Sequence, residues 1–121
     1  MKPLSQAALK QFLDRFDNFK GSELRSLDVI DPFEIKLVIA AQDKARGYDW
    51  ITIELYFSSV EAANLVEDNQ LSFIDMEDGL NIIFSENSFA FGIGDCYNIS
   101  NIKSSPLYII SKTLKFEEGK F

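Results

Sequence analysis

Apolar residues near the start of the chain recur at a helical spacing. Leu9, Phe12, Leu13 and Phe16 stand at i, i+3, i+4 and i+7, and Leu4 and Phe19 extend the stripe. Lys10, Asp14, Arg15 and Asn18 take the other side. With Ser5 as N-cap and Gly21 as stop, the pattern predicts an amphipathic helix over residues 6–19. Such a helix is marginal alone in water, so its apolar stripe needs a sheet to cover.

After Gly21 the period changes to two. Phe33, Ile35, Leu37 and Ile39 alternate with Glu34, Lys36, Val38 and Ala40. Lys44-Ala45-Arg46-Gly47 breaks the run, and then Ile51, Ile53, Leu55 and Phe57 alternate with Trp50, Thr52, Glu54 and Tyr56. This predicts a long antiparallel hairpin with one buried face. A weaker strand, Glu23 to Ile30, precedes it and ends at Asp31-Pro32, because proline cannot donate to a ladder. Three short strands follow, Leu71–Met76, Leu80–Phe84 and Ser88–Ile93, punctuated by Glu77-Asp78-Gly79 and Ser85-Glu86-Asn87. Residues 59–69 read as a loop with one helical turn at Glu61 to Leu65, and a last strand runs from Leu107 to Phe116. The fold class is therefore α+β: an N-terminal amphipathic helix packed on a mainly antiparallel meander of about seven strands.

A length of 121 residues fits one domain spanning 1–121, and 46% hydrophobic residues with 11 Phe exclude a disordered chain. No His is present, which excludes Ser-His-Asp and Cys-His hydrolases and the usual catalytic zinc sites. The single Cys96 cannot form an intrachain disulfide, and no signal-peptide pattern opens the sequence, so a cytoplasmic protein is expected. No apolar run is long enough to span a bilayer.

Net charge is −7, and its distribution is uneven. Between Gly47 and Ile102 there is no Lys or Arg, against ten acids: Asp49, Glu54, Glu61, Glu67, Asp68, Asp75, Glu77, Asp78, Glu86 and Asp95. Such a segment disfavours nucleic acid and anionic membranes and favours a basic protein partner. It would equally serve to keep the chain soluble and to blunt sheet edges. Trp50, Glu54 and Tyr56 fall on the hairpin face opposite Ile51, Ile53 and Leu55. Uncovered, that face is an aromatic and acidic patch suited to Lys and Arg side chains. The candidate partner-binding residues are Asp49, Trp50, Glu54, Tyr56, Glu67, Asp68, Glu77 and Asp78.

Other motifs carry less. Asp75-Met76-Glu77-Asp78-Gly79 lacks the further ligands of a calcium loop and reads as a turn. Phe91-Gly92-Ile93-Gly94-Asp95-Cys96-Tyr97 opens like a dinucleotide fingerprint, but Tyr97 stands at the third glycine and no helix pattern follows. Its glycines read instead as a bulge or a close packing approach. Cys96 reads as a buried structural thiol.

The block Trp50-Ile51-Thr52-Ile53-Glu54-Leu55-Tyr56-Phe57-Ser58-Ser59-Val60, with the terminal run Tyr108-Ile109-Ile110-Ser111-Lys112-Thr113-Leu114-Lys115-Phe116-Glu117-Glu118, resembles small bacterial proteins that include immunity-protein-like families of polymorphic toxin systems. The resemblance rests on apolar patterning and carries no site motif. It implies a small cytoplasmic protein that neutralises a toxin by binding it, often through acidic side chains when the toxin is a basic nuclease. The sequence-level expectation is a non-catalytic protein-binding module without a cofactor, a monomer or weak dimer. The alternatives are a small-ligand carrier or assembly subunit with an apolar pocket lined by Phe89 and Phe91, and a carboxylate- or metal-dependent enzyme.

Overall fold

The computed structural model describes all residues, 1–121. The predicted helical stripe is buried at every position, Leu4, Leu9, Phe12, Leu13, Phe16 and Phe19, but the regular helix is shorter than its pattern. Helix α1 covers Leu9–Arg15, with a 3-10 turn at Gln6–Ala8 before it and another at Asp17–Phe19 after it. Asp17, Asn18 and Phe19 take φ of 53°, 53° and 59°, a left-handed turn that ends the helix before Gly21 is reached. Left-handed backbone costs about 1 kcal/mol or more per residue, least for Asp and Asn. Phe19 offsets its share by full burial and by stacking on Phe16 with ring centres 4.9 Å apart.

Strands β1 (Lys2–Pro3), β2 (Glu23–Asp31), β3 (Glu34–Asp43), β4 (Asp49–Asn64), β5 (Leu80–Ser85), β6 (Ser88–Ile93) and β7 (Tyr108–Lys120) form one antiparallel sheet. It consists of two meanders, β2-β3-β4 and β5-β6-β7, joined where β4 pairs with β7 from Ile51↔Lys120 to Asn64↔Tyr108. The far side of β7 takes β6 at one end (Phe89↔Ser111) and β1 at the other (Lys2↔Phe116). Ile35, Leu37, Ile39, Ile51, Ile53, Leu55 and Phe57 all face the α1 side and form one core with it. The alternation read from the sequence thus positions both faces of the central hairpin.

Four details differ from the sequence pattern. Leu71–Met76 is not a strand; a 3-10 turn at Asp68–Phe73 leads into an Asx turn in which the Glu77 amide donates to Asp75. Residues Ser59 to Asn64 are not a loop, because β4 continues through a bulge (register shift between Val60 and Ala62, Ser59 φ 54°) and stays paired to β7. Phe33 does not share the buried face of Ile35; it sits 64% exposed in the β2–β3 turn, its amide held by the Asp31 carboxylate at 2.7 Å. A helix does follow the glycine-containing stretch: α2 (Ile99–Lys103), capped by Asn98, whose side chain accepts from the Asn101 amide.

Gly79 shows why one turn glycine is required. It has φ +72°, and a Cβ there would stand 2.0 Å from the Asn18 carbonyl oxygen. The start of β5 is thereby pressed against the left-handed turn after α1. No helix of the chain is long and apolar enough to cross a membrane.

Candidate functional site

The sheet has two unlike faces: α2 covers the outer one over β6, where Ile102 and Cys96 pack with Ala90 and Ile110, and leaves it open over the central part of β4. Helix α1 covers the inner face of the central strands, while Trp50, Thr52, Glu54 and Tyr56 point the other way and remain partly exposed. Across the ladder, Tyr56 stands between Lys36 on β3 and Lys115 on β7, and Glu54 stands between Val38 and Glu117. The Lys36 ammonium lies 5.9 Å from the Tyr56 ring centre, a cation–π distance. Trp50 is 37% exposed and packs on Phe121 (ring centres 5.5 Å apart), and the Arg25 guanidinium lies 4.8 Å from the Phe121 ring. Trp50 and Tyr56 are therefore rigid aromatic positions on a pleated strand, with polar neighbours between them.

Glu54 and Glu117 are directly opposed, an arrangement that costs stability in a sheet. Tyr56 donates to Glu54 at 3.3 Å. Its phenol is pushed above the ordinary range first by burial, then by the negative charge of Glu54 and Glu117.

The predicted residues come from two parts of the chain. Asp49, Trp50, Glu54 and Tyr56 belong to β4, whereas Glu67, Asp68, Glu77 and Asp78 belong to the β4–β5 connection, which runs beside the free edge of β2. From Glu67 to Asp78 this connection carries five acids and no base, and none of the five is in an ion pair. Asp68 has a structural task as well, accepting the Leu27 amide of β2 at 2.9 Å. The remaining acids disperse: Glu61 pairs with Lys112 at 3.8 Å, Glu86 is at the β5–β6 turn and Asp95 precedes α2. Lys36, Lys115 and Arg25 from the flanking segments also reach the outer face. The ten acids are thus spread over several elements, and those on the outer face of β4 stand among Lys36, Lys115 and Arg25.

A second constellation escaped the sequence reading. Arg15, at the end of α1, donates from Nε and Nη2 to the two carboxylate oxygens of Asp43 at 2.9 and 2.7 Å, and from Nη2 to Glu118. Arg46 approaches both acids at 3.4 and 3.5 Å, and the Ala45 amide donates to Asp43. Asp43 is fully buried. The bidentate hydrogen bond to Arg15 holds its carboxyl below the usual range, against the opposing effect of burial, and Glu118 is lowered by the same guanidinium. With every hydrogen-bonding oxygen matched, this cluster clamps α1 to the ends of β3 and β7.

Beside the clamp lies an open cleft of about 650 Å³ between the N-terminal segment, α1 and the β3–β4 loop, with Leu4, Phe12 and Phe116 among its walls. The pocket expected at Phe89 and Phe91 does not exist: both rings are buried in the core, Phe91 edge-on to Phe57 at 5.5 Å. Gly92 is a packing glycine, since a Cβ there would stand 2.9 Å from Ile102 Cδ1 and 3.2 Å from Cys96 Sγ. Cys96 is buried, donates to the Ile93 carbonyl at 3.2 Å, and has its thiol pushed up by burial. No three Asp, Glu or Cys side chains converge in a metal-holding group. Compared with known proteins, the chain matches no family model, no curated protein and no solved structure.

Proposed function

We propose that this chain is a non-catalytic protein-binding module that takes a basic partner on the open face of β4. The immunity-type inhibitors it resembles give the reading its particular form, a stoichiometric inhibitor of a basic protein. The observation that carries it is the uncovered strand face on which Trp50 and Tyr56 flank a pair of opposed carboxylates, Glu54 and Glu117. A Lys or Arg side chain placed between these carboxylates would relieve their repulsion, and the two aromatics would supply desolvated contact area around it. The unpaired acids from Glu67 to Asp78 would act earlier, raising the encounter rate of a basic partner without joining the final contact.

The experiment separates the two roles. The wild-type chain, immobilised at low ionic strength, should retain a basic protein from its source that elutes as salt is raised. A Trp50→Ala/Glu54→Lys variant should lose retention altogether. Reversing Glu67, Asp68, Glu77 and Asp78 to Lys should slow association by about tenfold and leave dissociation nearly unchanged. Retention that survives the Trp50→Ala/Glu54→Lys change would reject the open face as the binding surface.

A further inference from the structure

Nine large apolar side chains are exposed, and three of them, Val29, Ile30 and Phe33, fall within five residues at the tip of the β2–β3 hairpin. Each of the three is more than half exposed. Single exposed apolar residues are ordinary on a protein surface, whereas a gathered group marks a contact. Elsewhere Trp50 and Phe121 already pack on each other. The register explains how the tip comes to be apolar. Leu27 lies opposite Leu37 and Val29 opposite Ile35, so the inward row of β2 continues toward the turn. Leu27, Leu37 and Ile35 are buried in the core, and at Val29 the row emerges beyond it.

The tip is also rigid. Asp31 pairs with Glu34, which leaves Pro32 and Phe33 as a two-residue turn. The Pro32 ring fixes its own φ and has no amide to satisfy. The Phe33 amide donates to the Asp31 carboxylate at 2.7 Å, and the Phe33 carbonyl accepts from the Val60 amide of β4 at 3.0 Å. Phe33 is thus displayed on a backbone bonded on both sides, and little freedom is lost when it is covered. From Asp28 to Lys36 the hairpin carries three acids, Asp28, Asp31 and Glu34, against the single base Lys36. Lys36 approaches Asp28 at 3.9 Å, while Asp31 and Glu34 are in no ion pair.

We propose that this tip is an anchor that inserts into an apolar pocket of a partner protein, a pocket rimmed by Lys or Arg. A projecting turn selects a hollow, and the free acids on either side of Pro32 and Phe33 select a positive rim. Two other occupants fit less well. The tip of a second copy would set Asp31 and Glu34 against their own twins, on chains that each carry a net charge of −7. The three side chains also expose only roughly 300 Å² together, well short of the ~800 Å² per partner that a standard interface buries. An anionic bilayer would repel the same acids. The tip therefore fixes one point of a wider contact with a single protein. It is distinct from the open face of β4: Phe33 is three residues, about 10 Å of strand, from Lys36, which stands beside Tyr56.

The photo-crosslinker p-benzoylphenylalanine, replacing Phe33, Tyr56 or Phe73 in the full chain expressed in its source cells, tests this. At position 33 it should give one adduct with a basic protein, and the crosslinked peptide should hold apolar residues beside Lys or Arg. Val29→Ser with Ile30→Ser should reduce that adduct by about tenfold. The urea midpoint should not move, because both side chains are exposed. Phe73, exposed outside the tip, should give no such adduct. Absence of a protein adduct at position 33, an adduct of twice the chain's mass, or crosslinking to lipid overturns the proposal. So does an adduct indifferent to the changes at Val29 and Ile30. An adduct at 33 without one at 56 upholds the anchor and rejects the β4 face; the reverse rejects the anchor and leaves the β4 face standing.

Discussion

Glu117 and Glu118 are adjacent in sequence and opposite in circumstance. Glu118 follows the inward positions Leu114 and Phe116 and meets Arg15, Arg46 and Lys2, so its charge is matched. Glu117 points outward, faces Glu54 across the ladder, and has only the N-terminal amine nearby at 3.7 Å. The inner face is therefore finished: its apolar side chains are covered, its one buried carboxylate is fully bonded, and no buried side-chain polar atom lacks a partner. Over β4 the outer face is unfinished, with aromatics half exposed and like charges side by side. Structure alone accounts for the first, and the second is what a surface reserved for contact would look like.

The largest way to break this contrast is at Arg15. Arg15→Ala leaves the Asp43 carboxylate buried with only Arg46 and the Ala45 amide, and should cost about 3–5 kcal/mol in urea unfolding. Pairing it with Asp43→Asn should cost less than the two single changes summed, since they share one interaction. A smaller test uses the neighbouring glutamates. Glu118→Gln should destabilise by about 1–2 kcal/mol, through loss of charged hydrogen bonds. Glu117→Gln should stabilise by roughly a few tenths of a kcal/mol, by removing the charge opposite Glu54. Equal and same-signed effects at the two positions would deny that the faces differ.

Proton linkage sharpens the same point. Asp43 and Glu118 are both held below their ordinary values of 3.8 and 4.5 by hydrogen bonds and charge from Arg15. The unfolded chain therefore takes up protons first as pH falls. The clamp contributes its full stability above the ordinary carboxylate range, and loses it as pH drops below about 4 through the depressed folded values. Arg15 stays cationic throughout. Asp43→Asn should lower stability at neutral pH and flatten the decline below about pH 4, measured by urea midpoints across a pH series.

Periodicity made the helix stripe and the inner face of β3 and β4 legible, because burial of one face imposes a regular spacing on the residues that line it. The clamp was legible in part: Asp43 continues the inward series Ile39, Ala41, and Glu118 continues Leu114, Phe116, so two acids occupy apolar-parity positions. What hid its meaning is that Arg15, Asp43 and Glu118 are brought together only by the topology. The continuation of β4 through Glu61-Ala62-Ala63-Asn64 was hidden for a related reason. These residues have weak strand preference, and their pairing with β7 overrides it. For Leu71–Met76 the error ran the other way: Leu71 and Met76 are buried at a spacing that fits neither strand nor helix. The acidic segment was legible as composition but not as a surface, since strand order decides which loops become neighbours.

The mildest test reads the outer face by its own phenol. Tyr56 is raised by burial first, and then by the charges of Glu54 and Glu117. A raised value means that the unfolded chain ionises before the folded one. Tyr56 therefore supports folding below the ordinary tyrosine value of 10.0 and ceases to do so as pH climbs through its folded value. In an absorbance titration of the native protein, Tyr56 should ionise at higher pH than it does in the Glu54→Gln variant, because that change removes a negative charge and leaves the burial. If Tyr56 titrates alike in both proteins, Glu54 does not act on the phenol, and the open face loses the electrostatic character that distinguishes it from the finished one.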